Sequence, residues 1–316
     1  MTTSLKNAKL GFILSIFTAF IWGSVPIALK EVMEDLDAPT LVWYRFLIAF
    51  IILLPILAVK KDLPFRKIQQ KPKSLILLSI LTLGIVGNFI LLSKALVYTT
   101  PTVVQIVIQL SSVGLLFAGV IVFKEHLSRT QLLGVIILVT GLLMFFNKNL
   151  IEMIASFNDY SLGVVLALLG ALSWVFFALA QKVVLRDFSS LQILLILNAL
   201  GMVFLLPFVN FSTVLTLSNI KLILLAYCGL NTVLGYGALA EAMRLWEVSK
   251  VSAMITFTPL FTLVFSLILA LMWPTTFENP NLNVLGYIGV FIVVFGAMFM
   301  VIGETLIRSL TQKRVK

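Results

Sequence analysis

Residues 11–55, GFILSIFTAFIWGSVPIALKEVMEDLDAPTLVWYRFLIAFIILLP, and residues 163–207, GVVLALLGALSWVFFALAQKVVLRDFSSLQILLILNALGMVFLLP, align without a gap at an offset of 152. The alignment pairs Gly11 with Gly163, Trp22 with Trp174, Lys30 with Lys182, Asp35 with Asp187, Leu54 with Leu206 and Pro55 with Pro207. Two apolar chains matched by chance would share Leu and Ile, not Trp, Lys, Asp and Pro. Farther along, the offset becomes 147, pairing Ala95-Leu96 with Ala242-Met243, and then 155, pairing Gly134 with Gly289 and Gly141 with Gly296. The added residues fall in the loop 273–283, where insertions are tolerated. The chain therefore reads as two copies of one unit, residues 1–150 and 151–316.

Each unit is a series of apolar runs near the length that crosses a bilayer. They fall at about 10–30, 41–59, 75–98, 101–123, 131–146, 161–182, 191–209, 220–245, 250–273 and 284–303. Apolar residues make up 60% of the chain and charged residues 11%, so a soluble fold could not cover its own surface. The first run is too long for a signal peptide, lacks a small-residue cleavage site, and reads as a retained helix. With the N-terminus placed in the cytoplasm, eighteen of the 23 Lys and Arg residues fall on the cytoplasmic side. Lys30, Lys94, Lys148 and Lys221 fall outside, and Arg45 lies within the second run. That asymmetry requires an even number of spans with both termini cytoplasmic. Five spans per unit is odd, so the second copy enters from the opposite side. The expected fold is an all-α membrane protein of ten transmembrane helices arranged as two inverted five-helix repeats, with a site between them near the midplane.

Several signals point to no chemistry. The net charge of +10 is scattered over loops and termini, which excludes a nucleic-acid face. Cys228 lies alone in an apolar run, so there is no disulfide framework. His126 sits beside Lys124 and Glu125 in a loop and reads as solvated, not as a metal ligand. Residues 235–240, GYGALA, fit a dinucleotide fingerprint but have no preceding strand. Neither a metal nor a cofactor is expected. The lack of a phosphate-binding loop argues against ATP hydrolysis by the chain itself.

Polar side chains at membrane depth are costly and mark function by default. Gln105, Gln109 and Ser112 are spaced i, i+4, i+7, one helical face. The 147 offset carries them to Ser252, Thr256 and Pro259. Both stripes are expected to line a central cavity, the alternative being interhelical hydrogen bonds. Pro259 would free a backbone carbonyl one turn earlier. Arg45 has two readings, a bidentate partner for a substrate carboxylate or an ion pair with the acidic loop of Glu31, Glu34, Asp35 and Asp37. The ion pair is preferred. Trp22 and Trp174 could stack on substrate or fill the core; Asn88, Asn198, Asn231 and Tyr236 are further cavity candidates. Glu241 is the best candidate for proton coupling, with pairing to Arg244 as its plain alternative.

The stretches Ile21-Trp22-Gly23-Ser24, Tyr44-Arg45-Phe46-Leu47-Ile48-Ala49, Lys94-Ala95-Leu96-Val97-Tyr98-Thr99, Lys124-Glu125 and Thr258-Pro259-Leu260-Phe261 resemble, in order, the EamA-like ten-helix branch of the drug/metabolite transporter superfamily. The resemblance implies a carrier, in the main an exporter, of amino acids and other small metabolites in a bacterial inner membrane. Its expected partners are a small-molecule substrate and the lipid bilayer, with the chain a monomer or homodimer. Three positions depart from the family pattern. Ser112 stands for a proline, Met272 for an acidic residue, and Leu197 for a counterpart of Arg45. Other functions weigh less. An enzyme acting on lipid-linked substrates would need converging His, Asp or Glu groups at depth. A proton-coupled drug efflux carrier would need a carboxylate deep in the first helix. A receptor would need sizeable soluble regions.

Overall fold

A computed structural model describes the backbone of residues 2–71, 73–124, 126–277 and 279–314. Its helices are α1 (Thr2–Val32), α2 (Ala38–Val59), α3 (Phe65–Gln70), α4 (Ser74–Tyr98), α5 (Pro101–Val107), α6 (Leu110–Phe123), α7 (Arg129–Phe145), α8 (Leu150–Ala155), α9 (Asp159–Val184), α10 (Ser190–Leu205), α11 (Phe211–Leu215), α12 (Asn219–Leu245), α13 (Val248–Ile255), α14 (Thr258–Met272) and α15 (Val284–Arg314). No strand occurs among the described residues. The helices start where polar residues interrupt the apolar runs. Asp37 accepts the Thr40 amide at the start of α2, and its counterpart Ser189 forms a capping box with Gln192 at the start of α10. Ser128 and Gln131 do the same for α7.

Among the described residues, nine stretches are long and apolar enough to cross a membrane, with α5–α6 and α13–α14 each counted as one. The remaining run forms α7, 17 residues long, at the lower limit for a crossing. Large apolar side chains ring the outside, including Ile76, Ile121, Phe176 and Leu271 at 67–84% exposure. In water such a belt would aggregate; in a bilayer it is the solvated surface.

The packing repeats under the sequence offsets. α1 lies along α12 and α4 along α9, a pair of pairs that the offsets interchange. Gly11 abuts Trp246 as Gly163 abuts Thr99, and Gly23 abuts Phe261 as Gly114 abuts Val175. α2 packs on α10, and α7 on α15. In the α7–α15 seam, Gly134 meets Met300 and Gly289 meets Phe145, while Gly141 meets Val293 and Gly296 meets Leu138. Rising numbers in α7 meet falling numbers in α15, so the two helices run antiparallel. Absent side chains let the backbones touch, as is common between membrane helices.

Ion pairs tie the two ends of the bundle. At the end where α1 begins, called the basic end below, Lys71 pairs with Asp187 and Lys67 donates to Gln192. At the opposite end Lys221 pairs with Glu34 and Asp35.

Candidate functional site

The middle of α1 is a hub. Pro26 has no N–H, so the carbonyl four residues earlier, on Trp22, loses its helical donor. Gln105 Nε2 of α5 takes it at 3.2 Å. The flanking carbonyls are used as well, Ile21 O by Asn231 Nδ2 of α12 at 2.8 Å and Gly23 O by Thr262 Oγ1 of α14 at 2.7 Å. Three helices thus converge on three consecutive peptide groups. Ser24 of the same helix shares a short hydrogen bond with Tyr227.

Facing this hub are two interrupted helices. The run 101–123, expected to be continuous, breaks between α5 and α6 at Ile108-Gln109; the run 250–273 breaks between α13 and α14 at Thr256-Phe257. Gln109 and Thr256 are counterparts at the 147 offset, so both breaks fall at one position of the repeat. In the second break Pro259 frees the Ile255 carbonyl, which accepts from Thr258 Oγ1 at 2.6 Å. In the first, where Ser112 replaces proline, tighter i→i−3 bonds do the same work, Ser111 N to Ile108 O and Ser112 N to Gln109 O. Gln109 and Thr256 are buried; Gln105, Ser112 and Ser252 are half-buried.

Aromatic rings fill the space beside the breaks. Tyr236 of α12 lies 5.2 Å from the Trp22 ring and 6.4 Å from that of Trp174, which in turn lies 5.1 Å from Phe177. Gly235 sits directly under the Trp22 indole, where any side chain would collide. The expected members Trp22, Trp174, Tyr236, Gln105 and Asn231 therefore meet in one region.

Arg45 is placed differently from the preferred reading. It does not pair with the acidic loop, because Glu34 and Asp35 are held by Lys221 and Asp37 caps α2. Its guanidinium lies 4.2 Å from the centre of the Phe89 ring of α4 and donates to Thr232 Oγ1 of α12 at a long 3.4 Å. Its Nε has no partner, and only 6% of the residue is exposed. Phe89 and Thr232 carried no sequence signal. Pro26 did, since a proline inside an apolar helix marks the residue four before it.

Other candidates lie in plainer settings. Asn88 donates to Gly170 O at 2.8 Å and braces α4 on α9. Asn198 Nδ2 returns to Leu194 O in its own helix, leaving Oδ1 buried without a donor. Glu241 occupies the last turn of α12, where it pairs with Arg244 at the surface. No group of three potential metal ligands occurs among the described residues. A cavity of about 480 Å³ at the basic end, lined by Lys71, Lys73, Leu77, Val184 and Phe188, lies away from the hub.

One pair of counterparts breaks the repeat's symmetry. Each packs on the first helix of the other half, α5 on α9 and α13 on α1, but α5 also touches α1 and α14, whereas α13 also touches α15. A Cβ built at Gly237, about two turns before the end of α12, meets nothing within 4 Å.

A shell of apolar helices around a polar, aromatic centre defines a polytopic membrane protein. The model of the EamA-like transporter family matches residues 9–147 and 161–302, and the chain belongs to that family. A protein of Escherichia coli K12 described as "Uncharacterized inner membrane transporter YhbE" is 48% identical over 301 residues, covering 95% of this chain and 94% of the relative. A Haemophilus influenzae "Uncharacterized transporter" is 45% identical over 303 residues, covering 96% and 98%. A crystal structure 13% identical superposes with a TM-score of 0.62 over 92% of this chain and 96% of that one, which is a likeness of fold.

Proposed function

We propose that this protein is a secondary transporter of the bacterial inner membrane that exports small metabolites such as amino acids by alternating access. In this reading α7 is the tenth span, both termini are cytoplasmic, and the two five-helix halves enter the membrane in opposite senses. The two separate family matches and the interchange of contacts under the sequence offsets support that arrangement. The relatives' descriptions support the membrane and the transport.

The observation that carries the mechanism is the exception to the pairing. α5 and α13 are counterparts, yet beyond their matching contacts α5 reaches α1 and α14 while α13 reaches α15. Exchanging these two poses closes the basic end and opens the other, while the paired seams stay intact. By the distribution of Lys and Arg, the basic end faces the cytoplasm, where an exporter loads. Substrate then binds between the helix breaks, against Trp22, Trp174 and Tyr236, with polar contacts from Gln105, Gln109, Ser112, Ser252, Thr256 and Asn231. Arg45 borders this region, and Glu241 is the coupling candidate if protons drive transport.

The test is uptake into liposomes carrying the purified protein, using an amino-acid and metabolite panel with and without a pH gradient. Saturable, protein-dependent flux is expected for at least one class of solute. Leakage no faster than in empty liposomes across the panel would refute the carrier.

A further inference from the structure

Arg45 is a buried cation with no ion pair among the described residues. It sits seven residues into α2, roughly 10 Å along the helix. In the nearest acidic loop, Glu34 and Asp35 are committed to Lys221 and Asp37 to the α2 cap. Its bond to Thr232 is long, the Phe89 ring covers one face, and Nε points at nothing.

The repeat supplies an internal control. Arg45's counterpart, Leu197, is 3% exposed in the equivalent helix. The same packing problem is therefore solved by an apolar side chain on the other half. Replacing buried charge by well-packed hydrophobe is often neutral or stabilising, so folding alone gives no reason to keep this guanidinium. Ionisable groups at membrane depth are kept for what they bind.

We propose that Arg45 reads the charge of the cargo, and that the cargo is a small organic acid whose carboxylate takes the unpartnered Nε edge of the guanidinium. The proposal rests on the carrier reading above and names its substrate class. Thr232, Arg45's partner, and Tyr236 are one turn apart on α12, about 6 Å along the helix. Tyr236 in turn touches Trp22 and comes near Trp174. A carboxylate on Arg45 therefore directs an apolar body the size of one ring or a short chain onto the indole faces. A planar guanidinium suits a carboxylate through two parallel bonds, which a lysine cannot reproduce. No described carboxylate lines this path to hold a cationic head group.

The test uses three probes with one body and different heads: phenylacetate, phenylacetamide and phenethylammonium. Binding to the purified full chain is read by quenching of tryptophan fluorescence, and transport by liposome counterflow. Wild type is expected to bind phenylacetate at least tenfold more tightly than the amide and to bind the cation weakest. Arg45→Gln brings the acid-to-amide ratio to near one; Arg45→Lys retains a reduced preference. Arg45→Leu, copying Leu197, keeps or raises the melting temperature while losing the preference, which a purely structural arginine would not do. Preference for the amide or the cation, or an acid preference that survives Arg45→Gln, overturns the assignment, as does failure of all three probes to bind. Arg45-dependent binding of phenylacetate without counterflow would uphold the anion site and remove the carrier reading instead.

Discussion

Replacing Gly141 by alanine tests the seam between α7 and α15. A Cβ built there falls 2.5 Å from Val293 N, 2.9 Å from Val293 Cγ2 and 3.0 Å from Gly289 O. Packed carbon atoms sit at about 3.5–4.0 Å, so the methyl overlaps backbone by about 1 Å. Backbone cannot rotate aside, and the two helices must part by a similar amount. Forcing a methyl into a filled contact costs about 1–3 kcal/mol. Alanine recovers up to about 1 kcal/mol of helix propensity over glycine. The net expectation is a loss of about 1–2 kcal/mol, read by equilibrium unfolding in mixed micelles titrated with SDS. Gly296 meets Leu138 N, Leu138 Cα and Gly134 O in the counterpart geometry, so Gly296→Ala should lose a similar amount. The double variant should lose less than the sum, since both open one seam. Gly237→Ala is the control, because its Cβ meets no atom within 4 Å and propensity alone should stabilise it by up to about 1 kcal/mol. If Gly141→Ala were as stable as Gly237→Ala, the close backbone contact would be wrong. A large difference between Gly141→Ala and Gly296→Ala would refute the equivalence.

Four further outcomes are expected. Gln105→Ala and Gln109→Ala should abolish the protection that substrate gives in a thermal-shift screen while leaving folded protein; unchanged protection in both removes the role assigned to these glutamines. Asn231→Leu breaks the bond to Ile21 O and should cost about 0.6 kcal/mol, at most about 1.7, in the same SDS titration. Gly237→Leu should fill the open space at this position of α12 and slow liposome flux severalfold with little change in stability; full flux would argue against a path there. Lys71→Ala removes an exposed pair with Asp187 and should change stability by less than about 1 kcal/mol, with that small loss vanishing in high salt.

The placement of spans was readable because lipid imposes a length, and long apolar runs betray it. Only the run at 131–146 falls short, since α7 is 17 residues and borders α15 along much of its length. The paired glycines were also visible as Gly134/Gly289 and Gly141/Gly296, although their contact was not. The break in the second half was foreshadowed by Pro259. The break at Ile108-Gln109 was hidden, because Ser112 in place of proline leaves an unbroken apolar pattern and the i→i−3 bonds that bend it are set by packing. Arg45 was misjudged for a different reason. Its nearest carboxylates in sequence are the obvious partners, but Lys221, which folds back from the second half, claims two of them. The convergence of Gln105, Asn231 and Thr262 on the α1 carbonyls is likewise a matter of tertiary assembly, with Pro26 its single local trace.

The glycine seam carries a message about ancestry. Its contacts come in reciprocal pairs, so the surface is complementary to itself. If the halves enter in opposite senses, as proposed, two identical copies of a half-length chain would meet there through the same glycines. A gene for one half would already have encoded its own dimer interface. Fusion through the segment around α8 would then have fixed the two orientations permanently, leaving each copy free to diverge, as Arg45 and Leu197 have done.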